Sequence, residues 1–132
     1  MEHPTREYGL HLTIDAYGAD PLKLGDAQYV KDFLASIPGT IGMHLLWGPH
    51  IEEIKDDSGH EPGVSVILMI YESHMTIHTY PKKDFFTMDV YSCNMFDHQK
   101  VIEMTKKTFT PTEVEVNTVI RCKKFPVSNL HD

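Results

Sequence analysis

Apolar and polar residues alternate in two segments, one near each end of the chain. In residues 8–16, Leu10, Leu12 and Ile14 would lie on one side of an extended chain, with polar residues between them. Residues 112–122 alternate in the same way. A period of two is typical of a strand with one buried face. Each segment is therefore predicted to be a strand.

The middle of the chain is its most apolar part. Residues 64–72 form a near-continuous apolar run, which is typical of a central strand. Two more strands are predicted at 74–80 and 85–93, on either side of a turn at 81–84. Residues 40–47 are also apolar enough to form a strand.

Two segments have helical periodicity. Asp26 can cap a helix over residues 27–37, and a Pro-Gly pair directly after it is predicted to end it. Asp97 can cap a second helix that reaches to about Phe109. The side chains expected to face the core are Ala27, Val30, Phe33, Leu34 and Ile37 in the first helix and Val101, Ile102 and Thr105 in the second.

The predicted order of elements is β-α-β-β-β-β-α-β, with no internal linker, so residues 1–132 are expected to form one domain. Two helices on one face of a mainly antiparallel sheet make an α+β, two-layer sandwich. The other face of the sheet is expected to be bare and apolar, which favours association. We expect a homodimer in which the two sheets pack together into four αββα layers.

Residues 48–63 are predicted to be a long irregular loop. Loops of this length are uncommon in compact domains and are often functional. The loop could attract a substrate with a distal cation, or it could be a solvated charged surface. Its acidic residues outnumber its one lysine, and they are Glu52, Glu53, Asp56, Asp57 and Glu61.

The net charge excludes some classes of partner. Lys and Arg total 12 against 19 for Asp and Glu, which gives a formal charge of -7. This balance disfavours a nucleic-acid partner.

No apolar run approaches the roughly 18–20 residues of a membrane span, and the polar start does not resemble a signal peptide. We expect a cytoplasmic protein whose Cys93 and Cys122 remain thiols, with Cys122 packed in its strand.

Glu72, Ser73 and His74 interrupt two apolar runs. Polar groups at such a point need hydrogen-bond partners or a function, and the residues alone leave both open. His74 and His78 would share one strand face, with Thr76 between them. Their His-x3-His spacing suits zinc best on a helix, and no further ligand lies at zinc-finger spacing. We therefore expect no metal.

Residues 63–93 resemble the prokaryotic S-adenosylmethionine decarboxylase proenzymes, small pyruvoyl enzymes of polyamine synthesis. The shared pattern is G-V-S, then E-S-H, then I-H-T-Y-P, then D-V-Y-S-C, and residues 9–18 are similar to the opening strand of that family. Length and predicted element order fit nearly the whole chain.

The resemblance implies a self-cleaving decarboxylase. Ser73 would attack the carbonyl of Glu72, cutting the chain into 1–72 and 73–132 and leaving a pyruvoyl group that forms a Schiff base with the substrate amine. The resemblance assigns the processing base to His78, assisted by Ser65. It assigns the proton donor of decarboxylation to Cys93, for which a thiol is chemically suited.

The substrate is expected to be a small amino-acid-type molecule, and S-adenosylmethionine is the family's own. Where the family has a ribose-binding Glu, this chain has Lys82, which has no hydrogen-bond acceptor. His60 is the only ring before the G-V-S motif that could stack on adenine, and Glu61 lies next to it. Ornithine or arginine, decarboxylated by relatives of the family, is therefore an alternative. A non-catalytic dimeric binding homologue is a second alternative.

Overall fold

A computed structural model describes residues 9–124 as one sheet covered by helices. No helix in this part of the chain is both long and apolar enough to cross a membrane. The strands are β1 (Gly9–Tyr17), β2 (Leu45–Ile54), β3 (Gly63–Ile70), β4 (Ser73–Tyr80), β5 (Phe85–Ser92) and β6 (Glu113–Arg121), and the helices are α1 (Pro21–Leu24), α2 (Ala27–Thr40) and α3 (His98–Phe109).

The strand order is β2-β3-β4-β5-β1-β6. Every neighbouring pair in the sheet is antiparallel. β3, β4 and β5 follow one another in sequence and in space, so the start of β4 lies beside the end of β5. The predicted α+β class and antiparallel sheet are confirmed.

The hydrophobic core lies between one face of the sheet and helices α2 and α3. Alternate strand residues face it, and burying a large apolar side chain contributes about 1.5–3 kcal/mol. The opposite side, here called the open face, has polar side chains at its centre. Buried core residues include Leu12, Ile14, Val66, Leu68, Met75, Ile77 and Val90 from the sheet and Val30, Leu34, Ile37, Val101 and Phe109 from the helices.

The predicted loop at 48–63 is wrong, because β2 continues to Ile54. β2 is an edge strand, where a proline costs no ladder hydrogen bond on its solvent side. The irregularity is a register shift between Trp47 and His50, where Gly48 has a φ of 92°. The irregular part is therefore shorter, residues 55–62, and includes a 3₁₀ turn at Asp56–Ser58.

Two further boundaries differ from the prediction. Helix α2 passes through Pro38 to Thr40, and the strand predicted from residue 40 starts at Leu45. A proline in the last turn removes only one hydrogen bond, and the N–H of Ile41 still donates to the carbonyls of Ile37 and Pro38. The four residues of α1, capped by Asp20, are too short to show a period.

The two cysteines are not bonded to each other. The expectation that Cys122 packs in a strand is wrong, since Cys122 follows the last residue of β6 and is exposed. Its thiol lies 3.8 Å from the Tyr91 hydroxyl. Cys93 directly follows β5 and is half-buried.

Candidate active site

The turn between β3 and β4 holds strained backbone. Ile70 pairs with Ser73, so Tyr71 and Glu72 form a two-residue hairpin loop. Such loops favour Gly, Asn or Asp, which tolerate positive φ, and neither loop residue is one of these. Ser73, the first residue of β4, has a φ of 152°. A residue with a side chain is disfavoured there by about 1–3 kcal/mol, so strain lies directly beside the Glu72–Ser73 peptide bond.

The carbonyl oxygen of Glu72 has a hydrogen-bond donor. The backbone N–H of Cys93 donates to it at 2.8 Å. Cys93 reaches this point because β5 ends at Ser92, the register partner of Ser73. A fixed N–H at this oxygen would stabilise negative charge during attack on the carbonyl carbon.

The Glu72 side chain is held by His44. One carboxylate oxygen accepts from the His44 backbone N–H at 3.1 Å, and the other lies 2.9 Å from His44 Nδ1. Burial alone would raise the pKa of Glu72, but the hydrogen bonds from His44 outweigh burial and hold it below its ordinary value. Sequence reasoning missed His44, which precedes β2 and belongs to none of the motifs.

Ser65 and His78 form the pair expected from the resemblance. They are register partners on β3 and β4, and Ser65 Oγ is hydrogen-bonded to His78 Nδ1 at 2.9 Å. Both lie on the open face, together with Thr76 and His74, as the alternation along β4 predicts.

This pair does not reach Ser73 of the same chain. His78 lies five positions after Ser73 along β4, which at about 3.3 Å per residue is about 16 Å. Odd and even residues of a strand also face opposite sides, so His78 lies on the open face while the alternation of β4 gives Ser73 the side of Met75 and Ile77. One chain alone therefore does not bring the predicted base to the predicted nucleophile.

A polar cluster occupies the centre of the open face. His11 Nε2 lies 2.7 Å from Asp89 Oδ2, and His74 Nε2 lies 3.8 Å from the same oxygen. The Thr76 hydroxyl donates to the other oxygen of Asp89. Beside the cluster is a depression of about 250 Å³, lined by His11, Thr13, Asp15, Thr76, His78, Thr87, Met88 and Asp89.

The residues expected at the substrate lie at the far end of β4. Lys82 Nζ is 2.6 Å from Asp56 Oδ1, and this hydrogen bond, with the charge of Asp56, raises the pKa of Lys82. Glu61 is paired with Lys83 at 3.2 Å, and His60 is exposed. The length of β4 separates all of them from Ser73 of the same chain.

Proteins similar to this chain are decarboxylase proenzymes. It is 30% identical to S-adenosylmethionine decarboxylase proenzyme 2 of Bacillus cereus, over 92% of this chain and 93% of that one. It is 30% identical to the arginine decarboxylase proenzyme of Caldivirga maquilingensis, over 81% and 82% of the two chains. It is 31% identical to the arginine decarboxylase proenzyme of Ignicoccus hospitalis, over 85% and 76%.

A sequence model of a protein family matches most of the chain. The sequence model of the S-adenosylmethionine decarboxylase family matches residues 10–122, and the chain belongs to that family. The adenosylmethionine decarboxylase of Aquifex aeolicus has the same fold, with a TM-score of 0.74 at 21% identity over 87% of this chain and 91% of that one. The predicted family and the predicted enzyme class, a decarboxylase, are confirmed.

Proposed function

We propose that this protein is a self-cleaving, pyruvoyl-dependent α-decarboxylase that makes a polyamine or its precursor. The observation that carries the proposal is the strained Ser73 beside a Glu72 carbonyl that accepts from the Cys93 N–H at 2.8 Å. A peptide carbonyl is a poor electrophile, so strain and a fixed donor at its oxygen are what cleavage by a serine requires.

The cleavage balances with water as the only co-reactant. Ser73 Oγ attacks the Glu72 carbonyl carbon, the peptide C–N bond breaks, and the amide becomes an ester with a free amine on Ser73. Elimination then releases Glu72 as a carboxylate and leaves an unsaturated amine, which water converts to a pyruvoyl group and ammonia. The pyruvoyl carbonyl supplies the electron sink for decarboxylation.

A second copy of the chain supplies the base. Because the Ser65–His78 pair is about 16 Å from its own Ser73, His78 assists cleavage only if another chain brings it there. The second chain's pair has to reach the end of β4, because Ser73 faces the core side of its own sheet. Trp47, Ile67 and Met69, which are 51%, 42% and 44% exposed on the open face, offer an apolar surface for contact between chains. Exposed apolar side chains on adjacent strands are typical of a subunit interface.

The substrate is an α-amino acid with a distal positive charge. S-adenosylmethionine, which carries a sulfonium, is the first candidate because the family is named for it. Arginine or ornithine is the second candidate. The Lys82–Asp56 ion pair favours these substrates, which have no ribose to bind. Lys82 donates to Asp56 at the position where the family uses a carboxylate to accept from ribose hydroxyls, and a lysine cannot accept.

Release of labelled CO₂ tests this function. The protein is incubated in parallel with carboxyl-labelled S-adenosylmethionine, arginine, ornithine and lysine, and a Ser73→Ala variant serves as the control. We expect the wild type to release CO₂ from at least one of these and the variant from none. Equal release by both proteins, or none from any substrate, contradicts the proposal.

A further inference from the structure

We propose that His11, His74 and Asp89 bind a divalent transition-metal ion such as Zn²⁺ on the open face of the sheet. Two imidazoles and a carboxylate are a ligand set that Zn²⁺ takes in proteins. None of the three proposed ligands belongs to the Glu72–Ser73 bond or to the Ser65–His78 pair, but His74 directly follows Ser73 and His78 lines the adjoining depression.

The three ligand atoms already lie close together. His11 Nε2 and His74 Nε2 are 2.7 Å and 3.8 Å from Asp89 Oδ2. One potential ligand atom from each of the three residues lies within 4.8 Å of the other two. Ligands bound to tetrahedral Zn²⁺ at 2.0–2.2 Å are about 3.3 Å apart. Small side-chain movements therefore bring all three atoms to bonding distance.

Strand pairing explains why these residues meet. His11 on β1 and His74 on β4 are both register partners of Tyr91, one on each side of β5. Asp89 lies two residues before Tyr91 on the same face of β5. The sequence pattern suggested His78 as the second histidine, but the sheet instead brings His74 close to His11, on the far side of β5.

Neighbouring side chains hold the ligands in orientation. The Thr76 hydroxyl donates to Asp89 Oδ1, which leaves Oδ2 directed at the two imidazoles. The Tyr91 ring packs against both histidine rings, with centroids 5.3 Å from His11 and 5.7 Å from His74. Support of this kind is usual around metal ligands.

Hydrogen bonding alone does not account for the cluster. At 3.8 Å, His74 Nε2 is too far from Asp89 Oδ2 to donate to it, so the second imidazole faces the carboxylate without a bond. The adjoining depression of about 250 Å³, which His11, Thr76 and Asp89 help to line, gives space for water ligands. Both features favour a cation at this point.

The ion would also join the two fragments of the cleaved protein, a consequence that rests on the proposed function. His11 belongs to residues 1–72, whereas His74 and Asp89 belong to residues 73–132. A metal bound by all three would tie β1 to β4 and β5 after the peptide bond is lost.

Zn²⁺ titration of untagged protein against a competing chromogenic chelator tests the site. We expect His11→Ala and His74→Ala each to weaken Zn²⁺ binding by at least about tenfold, because loss of a supporting residue alone costs about 10–100-fold. Thr76→Val keeps the side-chain shape but removes the hydroxyl that supports Asp89. We expect it to weaken Zn²⁺ binding by about 10–100-fold, as for loss of a supporting residue. The control is His50→Ala, since His50 Nε2 lies 2.7 Å from Glu52 Oε2, the same distance as in the His11–Asp89 pair.

Two further measurements separate this inference from cleavage and from misfolding. The Ser73→Ala variant keeps all three ligands and should bind Zn²⁺ as wild type does, so failure of cleavage leaves the metal result intact. Co²⁺ should give a ligand-field absorption spectrum that changes in Thr76→Val and vanishes in His11→Ala. Wild-type affinity in both His→Ala variants, or an equal loss in His50→Ala, overturns the inference.

Discussion

The backbone N–H of Cys93 donates to the carbonyl oxygen of Glu72 at 2.8 Å, from a strand end that lies beside the strained Ser73. Cys93 therefore has two separable groups. Its backbone N–H donates at the peptide bond proposed to break, and its thiol is the group to which the family resemblance assigns proton donation during decarboxylation. Only the thiol changes on substitution by alanine.

Cys93→Ala should separate cleavage from decarboxylation. The backbone donor remains, so cleavage between residues 72 and 73 should proceed within about tenfold of the wild-type rate. Loss of a general acid should reduce CO₂ release by about 10²–10⁴-fold. Fragment formation and CO₂ release are measured on the same preparation. An equal loss of both would contradict separate roles for the two groups.

His44→Ala should slow cleavage by releasing the residue before the broken bond. The variant loses the 2.9 Å contact to Glu72 but keeps the backbone contact of residue 44. Because the His44 side chain is 74% exposed, we expect a slowing of about fivefold, which corresponds to roughly 1 kcal/mol. The control is His50→Ala, a histidine paired with a carboxylate away from the turn. Cleavage at the wild-type rate in His44→Ala would show that the contact between the His44 and Glu72 side chains has no role in cleavage.

The same contact predicts a dependence of stability on pH. The pKa of Glu72 is lower in the folded chain than its ordinary value of 4.5, so its stabilisation is present above pH 4.5 and is lost as the pH falls through the folded pKa. In uncleaved Ser73→Ala protein, the free energy of unfolding should fall below pH 4.5. The fall should be smaller when His44→Ala is added. An identical dependence of the unfolding free energy on pH in the two variants would contradict stabilisation of the Glu72 carboxylate by His44.

Gly63 and Gly39 should respond oppositely to alanine. A Cβ on Gly63 would lie 1.8 Å from the Thr79 carbonyl oxygen, so Gly63→Ala should destabilise the fold by more than about 3 kcal/mol. A Cβ on Gly39, inside α2, meets nothing within 4 Å, so Gly39→Ala should stabilise by about 0.5–1 kcal/mol. Denaturant unfolding measures both changes. A small effect at Gly63 would contradict the close β3–β4 approach that aligns Ser65 with His78.

Mixed dimers test whether the base acts between chains. A His78→Ala chain should not cleave alone, but it should cleave when it is co-expressed with a Ser73→Ala chain, which carries an intact Ser65–His78 pair. A Ser73→Ala/His78→Ala double variant is the matched control and should give no rescue. Rapid cleavage of His78→Ala alone, or failure of the rescue, would contradict a base supplied by the second chain.

Local patterns predicted much of this fold, and long-range contacts account for what they missed. The alternation through Leu10, Leu12 and Ile14 and the cap at Asp97 correspond to β1 and α3. The extent of β2 was missed because its Gly-Pro pair is a loop signal locally, whereas an edge position with a register shift tolerates it.

The candidate site divides in the same way. The family resemblance predicted Ser65 and His78, and the two side chains are hydrogen-bonded in the structure. His44 and Asp89 were not predicted, because their contacts with Glu72 and with His11 join parts of the chain that are distant in sequence. A single sequence carries periodicity and spacing, but it does not show which side chains meet across a sheet.

Intact-mass spectrometry of freshly folded wild-type protein under denaturing conditions tests the central claim most directly. Two species are expected, residues 1–72 and residues 73–132 with a ketone at the new amino terminus, while Ser73→Ala should remain a single chain. A wild-type protein that stays folded and keeps all 132 residues in one unbroken chain would contradict the account.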